Sequence, residues 1–78
     1  MKFTQCFHAT RERADRRTIQ MAWIEQVVHS PERQTVQQDG RIRRWALIAA
    51  AGDRWLRVEL LADGETVHNA FFDRGAER

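Results

Sequence analysis

Between residues 8 and 30 the apolar positions recur at helical spacing, and between 34 and 72 they alternate with polar ones, so the chain reads as helices followed by strands. Residues 8–17 are rich in good helix formers (Ala9, Arg11, Glu12, Arg13, Ala14, Arg16) and predict a short first helix, preceded by a strand-compatible stretch at 3–7. Thr18 is placed to cap a second helix. In it Ile19, Trp23 and Val27 share one ridge and Ala22, Ile24 and Val28 the next, leaving Gln20, Glu25 and Gln26 to solvent. Ser30-Pro31 ends that helix, because the residue before a proline is pushed out of the helical region.

The dipeptides Asp39-Gly40, Gly52-Asp53 and Asp63-Gly64 then punctuate the alternating runs and predict four antiparallel strands near 34–38, 41–51, 54–62 and 65–72. If each dipeptide is a two-residue turn, Ala49 faces Leu56, Leu47 faces Val58, Trp45 faces Leu60, Leu60 faces Val67 and Leu56 faces Phe71. The expected core face is therefore Trp45, Leu47, Ala49, Leu56, Val58, Leu60, Val67 and Phe71. The expected fold is α+β, with two N-terminal helices packed on one face of a four-stranded antiparallel sheet. It forms a single domain over 1–78, with a helical half at 8–30 and the sheet at 34–72.

The same register places Arg44, Ala46, Ile48 and Ala50 on the opposite face, beside Trp55, Arg57, Glu59 and Leu61, and these beside Thr66, His68, Ala70 and Phe72. Glu59 is then directly opposite His68, with Arg57 and Arg44 nearby. A carboxylate, an imidazole and two guanidiniums on one surface are what metal-free RNA cleavage needs: Glu59 as base, His68 as acid, and Arg57 with Arg44 on the phosphate. Trp55 or Phe72 offers a ring for a base to stack on. Cross-strand Glu–His and Glu–Arg pairs are also ordinary solvated decoration, worth roughly 0.2–1 kcal/mol. A second basic cluster, His8 with Arg13 and Arg17, reads either as phosphate-binding or as a solvated helix face.

Composition narrows the class. With 42% hydrophobic and 31% charged residues, one Pro and four Gly, the chain fits one globular domain rather than a disordered segment. The formal charge is only +2, yet every basic residue but Lys2 is an arginine, a planar fork suited to phosphate and carboxylate and a codon preference of GC-rich genomes. Residues 1–58 carry eleven basic and six acidic groups, whereas 59–78 carry two and five. The single Cys6 makes no internal disulfide and reads as a small buried hydrophobe in a reducing cytoplasm. His8, His29 and His68 lack metal-ligand spacing, no glycine cluster suits a cofactor phosphate, and no apolar run approaches the roughly 20 residues of a membrane span. The N-terminus lacks the apolar stretch of a signal peptide. Expected, then, are a cytoplasmic location and no metal, cofactor or membrane.

The ordered set Phe7-His8-Ala9, Glu12-Arg13-x-x-Arg16-Arg17-x-Ile19, Val28-x-Ser30-Pro31, Asp39-Gly40-Arg41 and Arg54-Trp55-Leu56-Arg57-Val58 resembles the bacterial domain-of-unknown-function family 4258. The chain is also similar to the BrnT toxins, ribonucleases of the RelE-like class. It departs from them in Thr18, where glycine is usual, and in having no tyrosine. The resemblance implies a RelE/barnase-like toxin fold and points to His8, Arg13, Arg57 and the last strand near His68. It also implies RNA as substrate, with or without the ribosome, and an acidic antitoxin as partner. The expected function is metal-independent RNA cleavage as a toxin or a domain derived from one, through Arg57, Glu59 and His68. The alternatives are a non-catalytic nucleic-acid or protein-binding module, and a homodimer pairing sheets through Ile48, Ala50 and Phe72.

Overall fold

The computed structural model describes residues 2–11 and 18–77. Strand β1 (Lys2–Phe3) leads into helix α1 (Gln5–Arg11), and helix α2 (Met21–His29) is followed by β2 (Arg33–Val36), β3 (Ile42–Ile48), β4 (Arg54–Leu60) and β5 (Thr66–Phe72). Short 3-10 turns occupy Ala49–Ala51 and Arg74–Glu77. The sheet order is β1-β5-β4-β3-β2, with β1 parallel to β5 and the other neighbours antiparallel. No helix among the described residues is long and apolar enough to cross a membrane.

This corrects the expected RelE/barnase-like arrangement of two helices packed on a four-stranded antiparallel sheet: the sheet is five-stranded and mixed. The extra strand escapes a periodicity reading because it is two residues long. Lys2 donates to the Glu65 carbonyl (3.3 Å) and Thr4 to that of Val67 (3.1 Å), after which the chain turns into α1. Thr4 sets that turn, its hydroxyl accepting from the Phe7 N–H (3.0 Å) as an N-cap. The first helix thus begins three residues before the predicted start, and 12–17 of the predicted segment lie outside the described residues. Among the described residues α2 covers the sheet broadly, over β3 and β4, while α1 lies against β5.

The core lies between α2 and the sheet. Ile24, Val27 and Val28 of α2, with Ile19 before it, are buried against Leu56, Val58 and Leu60 of β4. Those three β4 residues and Val67 lie on the expected face, but β3 is reversed. Ala46 and Ile48 point into the core, and Trp45 and Leu47 do not belong to it. The cause is the loop between β3 and β4. Ala49, Ala50 and Ala51 form a 3-10 turn, and Gly52 (φ 78°) and Asp53 (φ 56°) complete the reversal in the left-handed region. Five residues turn the chain instead of two, so Trp45 pairs with Arg57 rather than Leu60. An odd shift of register moves every β3 side chain to the other face.

Between β4 and β5 Leu60 pairs with Val67 as expected, but a bulge follows. Glu59 pairs with Asn69, and Leu56 with Phe72 rather than Phe71. His68 is the additional residue. Phe72 consequently turns to the helix side, where its ring lies 6.2 Å from that of Trp23 and the Arg54 guanidinium sits 4.0 Å above it. Ile48 and Phe72 thus lie on the covered face rather than on the open face where the sheet-pairing homodimer placed them, and Ala50 is exposed in the loop after β3.

Candidate functional site

The sheet face turned away from α2 is built by strand alternation: Arg33 on β2, Arg43, Trp45 and Leu47 on β3, Trp55, Arg57 and Glu59 on β4, and Phe71 on β5. Asp73 follows, continuing the ladder by donating its N–H to the Trp55 carbonyl (2.9 Å). Arg57 stands at the centre. Its guanidinium lies 4.8 Å from the Phe71 ring and 5.9 Å from the Trp45 ring, on either side of it in the sheet. One terminal nitrogen pairs with the Glu59 carboxylate and the other with Asp73 Oδ2 at 3.4 Å. Arg43 Nε approaches Glu59 to 3.3 Å. Trp45, only 8% exposed, donates its indole N–H to Asp73 Oδ2 at 3.0 Å. The Nε–H groups of Arg43 and Arg57 are buried without a hydrogen bond, the Arg43–Glu59 approach being close in distance but not aligned.

Two guanidiniums and two carboxylates make the centre of this face electrically balanced. Phosphate therefore gains little there, and what the face offers is rings, guanidinium planes and carboxylate acceptors. At its rim, Arg33 places its guanidinium 5.5 Å over the half-buried Trp55 ring, a cation–π contact.

Of the residues expected to meet here, Arg57 and Glu59 do and two do not. His68, displaced by the bulge, turns to the β1–α1 junction, where its Nδ1 lies 3.3 Å from the Thr4 hydroxyl. Arg44 lies on the covered face because β3 is reversed. It donates to Gln34 Oε1 (2.7 Å) and to the Val28 carbonyl (2.8 Å), near the C-terminus of α2, where a cation is favoured. Trp55 is on the open face, as predicted. His8 is exposed on α1, its ring 5.8 Å from Phe7 and 6.0 Å from Phe3. Arg13 and Arg17 lie outside the described residues. Cys6 is exposed rather than buried, since α1 begins before it and turns Phe7 inward instead. Sequence reasoning missed Arg33, Arg43, Trp45 and Asp73. The period-2 runs Arg43-x-Trp45 and Arg57-x-Glu59 hold part of the signal, but joining them requires the five-residue loop.

Hydrogen bonds from the Trp45 indole and the Gly75 N–H, with the Arg57 cation, hold the Asp73 carboxyl below its ordinary value. In the β4–β5 turn Asp63 is lowered to about 2, first by the Thr66 hydroxyl (2.6 Å) and then by the N–H groups of Glu65 and Thr66. Both folded values lie below the unfolded one. Their stabilisation is therefore complete above about pH 4 and is lost as pH falls through the folded values. The urea midpoint is expected to drop between about pH 4 and 2, and to drop less in the double variant Asp63→Asn with Asp73→Asn. Equal acid sensitivity in the two proteins overturns this.

No protein-family model matches the chain, and no curated protein or solved structure matches it.

Proposed function

We propose that the chain is a non-catalytic RNA-binding module whose open sheet face takes the unstacked bases of a single strand. The observation that carries this reading is a sheet that, among the described residues, is covered by helix on one side only, with Trp55, Arg57 and Phe71 on the other. Single-stranded RNA recognition uses such surfaces, stacking bases on aromatic rings and guanidinium planes and reading base edges with polar side chains. Glu59 and Asp73 are acceptors for base amino groups. Arg33, on β2 at the rim of the balanced centre, is placed for a phosphate. The resemblance to RNA-acting toxins points to the same ligand. Cleavage asks in addition for a proton donor facing Glu59, and His68 turns instead to Thr4.

The test is fluorescence anisotropy in EDTA with an oligouridine roughly 12 nucleotides long, against a duplex of equal length. Single strand should bind more tightly, and Trp55→Ala should weaken it on the order of 5- to 150-fold. Arg33→Ala should reduce the salt slope by about 0.7, the share of one phosphate. Preference for duplex, or no binding, overturns the module; cleavage of the oligonucleotide in EDTA overturns its non-catalytic character.

A further inference from the structure

The sheet ends in two unlike edges. One is β1, only two residues long, and the other is β2, whose four residues are all exposed. Val36, at 64%, is the most exposed large hydrophobic side chain among the described residues. Gln37 donates to the Arg41 carbonyl (2.8 Å), and hydrogen-bonded pairs recur at every second residue of an antiparallel ladder. Thr35 therefore turns its backbone groups toward Arg43, while Gln34 and Val36 turn theirs outward. Natural edges are blunted by lysine, by proline or by a bulge, and β2 contains neither residue and pairs with β3 in unbroken register. Its single charge, Arg33, leans over Trp55 on the open face.

We propose that two copies of the chain join edge to edge through β2, antiparallel, about a twofold axis at Thr35, forming one continuous sheet. In this register Gln34 faces Val36 of the second copy, so every outward backbone group of the two residues finds a partner. Thr35 faces Thr35, a favourable cross-strand pair, and Arg33 faces the uncharged Gln37, so no like charges oppose. The neighbouring register, centred on Gln34, needs the backbone of Glu32. That residue is already engaged: its N–H donates to the Trp45 carbonyl (2.8 Å) and its carboxylate accepts from the Leu47 N–H (2.6 Å). A four-residue edge is a small contact, which places the dimer at the weak, concentration-dependent end of specific association.

Sedimentation equilibrium from about 10 to 500 μM should show the mass rising from monomer toward dimer. Val36→Pro removes an outward N–H without touching the β3 ladder and should hold the chain monomeric with an unchanged circular dichroism spectrum. Should that variant fail to fold, cysteine crosslinking decides. In a Cys6→Ser background, Thr35→Cys places two Cα atoms about 4.5 Å apart across the axis, within disulfide reach, and should oxidise rapidly to a covalent dimer. Val36→Cys, whose copies lie beyond about 7 Å, should not. A wild-type chain monomeric throughout the range, or equal crosslinking of the two variants, overturns the proposal. Neither measurement involves RNA.

Discussion

Ala46→Asp should abolish folding, whereas Leu47→Asp should leave a cooperatively folded protein. Ala46 has no exposed surface, pairs with Leu56 and points into the core beneath α2. An unpaired carboxylate there costs several kcal/mol even after relaxation, against the roughly 3–5 kcal/mol that a core of this size supplies. Leu47 is half-buried on the open face opposite Trp55, where a carboxylate keeps its water. Thermal and urea unfolding followed by circular dichroism checks both variants. The register with a two-residue Gly52-Asp53 turn demands the reverse outcome, Leu47 inside and Ala46 outside, so a folded Ala46→Asp overturns the observed pairing.

Arg57→Ala should lower stability by about 1–3 kcal/mol, and Arg43→Ala by less than about 1 kcal/mol. The two arginines touch the same Glu59, but their surroundings differ. Arg57 bridges Glu59 and Asp73, only 16% and 20% exposed, and lies over Phe71. Its removal leaves two half-desolvated carboxylates without their shared cation. Arg43, at 36% exposure, makes one ion pair, through an Nε–H that is not aligned for a hydrogen bond to the carboxylate. Arg57→Lys should not restore the loss, because an ammonium is a point charge and cannot fork between two carboxylates. Urea midpoints of the three variants decide this, and equal losses for Arg43→Ala and Arg57→Ala would show that the bridge contributes nothing of its own.

The centre of the open face also shows why its chemistry was only half legible. Arg57 and Glu59 are two apart on one strand, so alternation alone puts them side by side. Bringing His68 to them required unbroken pairing from Leu60 to Leu56, and the bulge after Val67 interrupts it. Arg44 and Arg43 exchanged roles through a different fault. The Ala49–Ala51 run reads as the end of a strand when only alternation is counted, although alanine prefers helical backbone and turns the chain there. Asp73 lies beyond the last predicted strand and reaches the site only because the ladder continues one residue further.

Taken alone, the sequence determined what depends on neighbouring residues: a helix ended by Ser30-Pro31, turns at the three Asp–Gly or Gly–Asp dipeptides, and the alternation that buries Leu56, Val58 and Leu60 together. Which side of the sheet β3 presents, and whether His68 meets Glu59, were decided by the tertiary structure. Both depend on the parity of residue counts across a loop and a bulge, and one added residue reverses a face without altering any local pattern.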